Sequence, residues 1–258
     1  MRPGRPPVAS AASAVGLPVL GGLVTLGGWW AATGLLGVPA VLLPPPPAVA
    51  AAFARLPGYL AGNLWVTFQE TVLGFGLAAG LGLVVGTGLA SSRGLARAAY
   101  PALVALQAVP KLALAPLLVV ALGFGAAPKV VMVVLMCLFP IVLATATGLT
   151  GTAAELVELA RSLCASRWQT LVRLRLPYAL PQVFVGLKTA MPLAVIGAVV
   201  GELFGATAGL GFVIRTAGSD TAQVYAALAL LAAMSIGLFY AVAGAERLLV
   251  PWTRHTTS

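Results

Sequence analysis

The chain has 258 residues; 60% are hydrophobic, only 8% are charged, and the formal net charge is +9. A soluble domain carries about a quarter charged residues, so this chain cannot cover a water-facing surface. Its bases fall at the ends of apolar runs and in short connections rather than on one stripe, which argues against nucleic acid as a partner.

The fold expected is all-α, a polytopic membrane helical bundle of about six transmembrane helices. Several runs reach the ~20 apolar residues that a hydrocarbon core requires. In chain order the spans are predicted over residues 15–37, 66–90, 102–124, 129–149, 183–204 and 222–245. The first follows Arg2 and Arg5 and is too long for a cleavable signal core, so it reads as a retained span. The run from Pro44 to Pro47 reads as a stiff extended connector. Span two carries Gly76/Gly80 and Gly82/Gly86, small-xxx-small pairs suited to close helix packing. Span three is expected to be interrupted at Pro110-Lys111 and at Pro116. The domain division expected is 1–60, an N-terminal span with its Pro-rich loop; 61–246, the main transmembrane domain; and 247–258, a tail.

Between spans four and five lies a polar loop, about 150–181. It holds Glu155 and Glu158, two of the six acids, with Arg161, Arg167, Arg173 and Arg175. Thr152 is a candidate cap for a helix in which the acids come first and Arg161 later, as the helix dipole prefers. Leu156, Leu159, Ala160 and Leu163 recur at helical spacing, which makes the segment amphipathic. A second amphipathic stretch follows at 168–173, and Pro177 and Pro181 are expected to break the path before span five.

Lys and Arg asymmetry sets the orientation. With the N-terminus inside, the inner segments hold Arg2, Arg5, Arg93, Arg97, the four loop arginines, Arg247 and Arg254, with Lys188 near the inner edge. The outer segments hold only Arg55, Lys129 and Arg215. Both termini and the 150–181 loop are therefore expected in the cytoplasm, where a soluble protein can reach the loop.

The loop resembles the cytoplasmic coupling loop of binding-protein-dependent ABC importer permeases. Their pattern is Glu-Ala-Ala, three residues, Gly, nine residues, an apolar residue, any residue, Leu-Pro. Here it reads Glu158, Leu159, Ala160, then Cys164, then Leu174, Arg175, Leu176 and Pro177. The spacing matches; Leu159 stands at an Ala position and Cys164 at the Gly. The resemblance extends over about residues 40–246. It includes the Val109–Leu117 and Leu122–Gly125 tracts, Phe139-Pro140 and Gly201-Glu202 with Gly209-Leu210-Gly211, and is similar to the nitrate/sulfonate/taurine-type branch. The tracts Ala165–Gln169 and Ala194–Glu202 look like those of permeases for pyrimidine thiamine precursors or riboflavin.

The resemblance implies a type I ABC importer transmembrane domain in a bacterial cytoplasmic (inner) membrane, moving a small polar or anionic organic solute. It implies as partners a cytosolic ABC ATPase dimer, an extracytoplasmic substrate-binding protein and a second permease copy, within membrane lipids. It implies that Glu155, Glu158, Leu159, Ala160, Arg161, Cys164, Leu176 and Pro177 form the ATPase-coupling loop. The chain has no Gly-x-x-x-x-Gly-Lys-Ser/Thr loop, so no cofactor and no enzyme activity are expected in it; ATP-Mg would sit on the partner subunits.

Lys111 and Glu202 are the candidates for the translocation pathway, because charge inside a membrane is costly and defaults to function. Glu202 is a possible partner of Arg215 or Lys111. Glu70 reads as a solvated edge residue. Cys137 and Cys164 form no disulfide framework, and His255 is the only histidine, so metal and histidine chemistry are not expected. The competing readings are a secondary transporter, which would need internal repeats and intramembrane acids, and the coupling component of a vitamin importer, whose motif Ala160-Arg161-Ser162 resembles only once.

Overall fold

Proline decides where this chain bends and where it does not. The computed structural model describes the backbone of residues 11–252, and the side chains from residue 20 onward except that of Arg93. Arg2, Arg5, Arg254 and His255 lie outside the described residues. Eleven α-helices and one π-helical turn follow one another, with no strand among the described residues. They are α1 (Ala11–Gly34), α2 (Pro46–Arg55), α3 (Pro57–Ser91), α4 (Arg93–Ala108), α5 (Lys111–Leu122) and α6 (Ala126–Thr150). After these come α7 (Ala154–Ser162), α8 (Arg167–Thr170), the π turn Leu171–Arg175, α9 (Leu176–Gly205), α10 (Leu210–Thr216) and α11 (Thr221–Leu249).

Four of the helical stretches are long and apolar enough to cross a membrane: Pro57–Ser91, Ala126–Thr150, Arg167–Gly205 and Thr221–Leu249. A fifth span exists if α4 and α5 together count as one. That pair covers the span predicted over 102–124, and the interruption expected at Pro110-Lys111 is a sharp bend. The two helices meet at 93°, because Pro110 has no N–H to continue the ladder and forces Val109 into an extended conformation at φ −70°, ψ 127°. Pro116, by contrast, sits inside α5 without ending it; a proline within a membrane helix is tolerated when neighbours satisfy the freed carbonyl. α1, 24 residues long, occupies the place of the first predicted span.

Two other proline expectations are corrected. The run Pro44–Pro47 is not wholly extended, since Pro46 and Pro47 open α2. Pro177 lies in the first turn of α9 and Pro181 within it, so neither breaks the path. Pro46 and Pro47 fall in the first turn of α2, where the missing N–H has no intrahelical partner to lose. Pro177 follows the π turn and Pro181 sits inside the helix, as a membrane helix tolerates when neighbours satisfy the freed carbonyl. The consequence is one continuous helical segment of 39 residues, Arg167–Gly205. At 1.5 Å per residue it is ~58 Å long, about twice a hydrocarbon core, so its arginine-bearing first turns project beyond the lipid.

The chain divides into two units. The first comprises the described part of Met1–Pro57 together with Ala217–Ala226. It is held by polar contacts: Trp29 Nε1 donates to the Pro44 carbonyl at 3.0 Å, Tyr225 OH to that of Leu42 at 3.0 Å, and Arg55 pairs with Asp220 at 3.2 Å.

The second unit, Gly58–Thr216 with the chain from Ala227 onward, contains the main core. Ala78, Val133, Cys137, Ile141, Ala190 and Ala194 are buried together there. Small residues let the backbones of α3 and α9 approach α6. A methyl group added at Gly82 would lie 2.6 Å from Ile141, and one at Gly197 2.9 Å from the Val133 Cα. The face of α3 that does this is Gly74, Ala78, Gly82 and Gly86, spaced by four, while Gly76 and Gly80 have open space around them. The Gly76/Gly80 pair therefore makes no helix contact among the described residues; the Gly82/Gly86 pair does. Lys188 of α9 pairs with Glu246 of α11 at 2.6 Å.

Candidate functional site

Two places gather the polar side chains of the second unit. One is the segment between α6 and α9, the other a cluster buried among α3, α6, α9 and α10.

In the first, α7 is a short amphipathic helix with Glu155 in its first turn and Arg161 in its last. Thr152 does not cap it. The N-cap is Ala153 without a side-chain bond, and the Thr152 hydroxyl donates instead to the Leu149 carbonyl at 3.2 Å. Leu156, Leu159 and Leu163 lie at spacings of three and four, hence on one side of the helix, and they are exposed, Leu163 by 73%. Ala160 is half-buried, and Glu155, Glu158 and Arg161 are exposed.

The turn that follows explains the residue at the Gly position. Cys164 is the one described non-glycine residue with positive φ, at 54°. Its N–H donates to the Arg161 carbonyl at 2.9 Å, and the Ala165 N–H to that of Ala160 at 2.9 Å. This pair of bonds is a Schellman cap, whose left-handed position glycine fills at least cost. Cys164 adopts it despite its Cβ, so the turn is as sharp as a glycine would make it. α8 then starts with a capping box: the Gln169 N–H donates to Ser166 Oγ at 3.1 Å, and the Ser166 N–H to Gln169 Oε1 at 2.8 Å. Leu176 and Pro177 begin α9. All eight predicted loop residues thus lie along one cap-to-cap segment.

The second place was not read from the sequence. Glu70 of α3 and Lys129 of α6 form an ion pair at 2.7 Å, with side chains only 6% and 7% exposed. This corrects the expectation of a solvated edge for Glu70 and of an outer segment for Lys129. Glu70 Oε2 is buried without a hydrogen-bond donor. The neighbouring Glu202 of α9 is fully buried. It accepts from the Thr67 hydroxyl at 2.7 Å and from the Gly211 N–H at 2.5 Å. Thr67 Oγ1 accepts in turn from the Leu210 N–H at 2.8 Å, and Asn63 Oδ1 from the Gly209 N–H at 2.7 Å. The first amides of α10 are therefore each received by a side chain of α3 or α9, as buried helix ends require.

Glycine makes this possible. A side chain at Gly209, where φ is 109°, would collide with the Glu202 carboxyl, and one at Gly211 would lie 2.7 Å from Glu202 Cβ. The Gly209-Leu210-Gly211 sequence close to the intramembrane Glu202 is the sequence signal by which the cluster could have been found.

Glu202 thus bonds to Thr67 and Gly211 rather than to Arg215 or Lys111. Arg215 donates to the Ala206 carbonyl at 2.7 Å. Lys111, half-buried at the start of α5, bonds to Gln107 across the bend. The two pathway candidates are not brought together. No group of metal-ligating side chains occurs among the described residues.

With the fold and these two places defined, comparison with known proteins is decisive. Residues 78–255 match the family model described as the inner membrane component of binding-protein-dependent transport systems. The chain belongs to that family. Among its relatives, the riboflavin transport system permease protein RibX of Chloroflexus aurantiacus is 39% identical over 93% of this chain and 90% of its own length. The putative aliphatic sulfonates transport permease protein SsuC of Bacillus subtilis is 34% identical over 86% of this chain and 83% of its own. The formylaminopyrimidine transport permease protein ThiX of Halalkalibacterium halodurans is 38% identical over 54% and 57%. In fold, the chain is similar to the MetNI methionine ABC transporter, solved in inward-facing conformations, with TM-score 0.66 and 21% identity, covering 74% of this chain and 96% of that one. The chain is thus a multi-pass inner-membrane transport component.

Proposed function

We propose that this chain is the permease subunit of an ATP-driven, binding-protein-dependent importer, and that α7 with its Schellman turn is the handle by which a cytosolic ATPase moves it. The observation that carries this reading is the exposed leucine side of α7. Leu156, Leu159 and Leu163 stand in a row with no partner from the chain's own core, and an unpartnered amphipathic helix suits a hydrophobic groove on another protein. The flanking acids Glu155 and Glu158 give that surface a charged rim.

The mechanism follows from the connections. ATP binding closes the ATPase pair and displaces α7, which is joined by the short link after Thr150 to α6 on one side and by its Schellman turn to the 39-residue helix on the other. The bundle then opens outward to receive solute from an extracytoplasmic binding protein, and hydrolysis resets it. Two permease copies form the pathway, with both termini in the cytoplasm. The solute is a small polar or anionic organic molecule of the kind named for the relatives: riboflavin, a formylaminopyrimidine or an aliphatic sulfonate.

Glu158→Lys tests the handle. The expected result is normal membrane insertion, with solute uptake lowered at least about tenfold and the ATPase no longer responsive to binding protein. Undiminished uptake by this variant sinks the reading. So does failure of the intact, folded chain to co-purify any ATPase.

A further inference from the structure

The buried cluster holds more acid than base. Glu70 is 4% exposed, Lys129 5% and Glu202 0%, so all three side chains are shut off from bulk water. Lys129 answers one carboxylate, through Glu70 Oε1. The carboxyl groups of Glu70 and Glu202 lie within hydrogen-bonding reach of one another, and Glu70 Oε2 is buried with no donor. Two ionised acids side by side would leave one uncompensated negative charge inside the bundle. Neighbouring buried carboxylates resist ionising together, and a lone charge within a membrane bundle is costly.

Other cations on the surrounding helices are engaged elsewhere. The charged residue of α10 is Arg215, which donates to the Ala206 carbonyl. That of α5, which packs on α9 where Val119 meets Gly205, is Lys111, bonded to Gln107. The remaining charges of α9 and α11 are Lys188, paired with Glu246, and the adjacent Arg247; Lys188 stands about four turns along α9 from Glu202. A proton meets both needs of the cluster. It cancels the surplus charge, and as an O–H it gives Glu70 Oε2 a donor.

We propose that Glu70 and Glu202 share one bound proton, lying between Glu70 Oε2 and the Glu202 carboxyl, and that this proton latches α10 to α3 and α9. Glu202 accepts from the Gly211 N–H, and through the Thr67 hydroxyl it is linked to the Leu210 N–H. With the proton in place the cluster is neutral and these bonds are held. Its loss sets two carboxylates against one another and drives Glu202, with the first turn of α10, away from α3. The assignment is independent of what the chain transports.

The chain carries only six acids, so a single protonated one can be seen. Of the others, Glu155 and Glu158 are exposed, Asp220 pairs with Arg55 and Glu246 with Lys188. The full chain, with isotope-labelled glutamate and in an alkyl glycoside detergent, is followed by infrared spectroscopy in light and heavy water. Folded wild type at neutral pH is expected to show one carboxylic-acid C=O band that shifts in heavy water. The band is expected to be lost in E202Q and in E70Q alike, because the proton belongs to the pair. If E70Q, which leaves Lys129 without its carboxylate, does not fold, the near-isosteric E202Q carries the test. Absence of the band from folded wild type overturns the proposal, and so does its survival in E202Q. Loss in E202Q with survival in E70Q overturns the sharing, since the proton then sits on Glu202 alone. Raising the pH until the wild-type band disappears is expected to speed hydrogen exchange at the Leu210 and Gly211 amides at least about fivefold more than in E202Q; equal acceleration overturns the latch.

Discussion

The buried cluster and the α7–α8 segment spend polar groups in opposite ways. Around Glu202 the carboxyl oxygens meet specific donors inside the bundle, and Gly209 and Gly211 are kept bare so that the backbone can approach. Along α7 the acids and leucines are left open, and the only precise hydrogen bonding is at its ends. One region is finished within the chain. The other has fixed ends and an unfinished surface, as expected of a part completed by another molecule. Their responses to mutation should differ accordingly: stability in the first, communication in the second.

The largest effect is expected at Lys129. Lys129→Met leaves Glu70 as an uncompensated buried charge, and should lower stability by about 3–5 kcal/mol, read as loss of folded protein or a large fall in Tm in detergent. The double variant Glu70→Gln/Lys129→Met removes both charges and should recover most of that loss. A Tm for Lys129→Met near that of wild type would mean that the cluster is not what holds α3 to α6. A smaller effect is expected at the glycine contact. Gly82→Ala places a methyl 2.6 Å from Ile141, and forcing α3 away from α6 should cost about 1–3 kcal/mol. Gly80→Ala, in open space, is the control and should be neutral or slightly stabilising.

The smallest effect carries the opposite sign. Cys164→Gly should stabilise the Schellman turn by about 1 kcal/mol, because glycine adopts φ near 54° without a Cβ penalty. Hydrogen exchange at the Cys164 and Ala165 amides would slow. Exchange that is unchanged or faster would show that the turn is not strained by its cysteine.

What was legible in the sequence followed from period and spacing. The leucines of α7 and the long apolar runs announced their helices, and the interval from Glu158 through Cys164 to Pro177 located the connecting segment. That Cys164, standing at the family's Gly position, takes up the left-handed conformation is visible only in the structure. What was not legible depended on distance. Glu70 and Lys129 are 59 residues apart, and each alone looks like an edge charge; only the packing of α3 on α6 makes them a pair. The prolines misled for a related reason. Pro46 and Pro177 begin helices, Pro116 and Pro181 sit within them, and only Pro110 bends the path. The residue type is the same throughout, and whether a freed carbonyl finds another partner is settled by neighbours that no local window contains.

The helical stretch that runs from Arg167 through the π turn to Gly205 also sets a mechanical ratio. A stiff rod ~58 Å long, rotated by about 10° around its middle, carries each end ~5 Å in opposite directions. Movement imposed at Arg167 then reaches Gly205, and with it the backbone beside the Glu202 cluster, within a single rigid displacement. The two ends keep time by geometry, with no relay of small rearrangements between them.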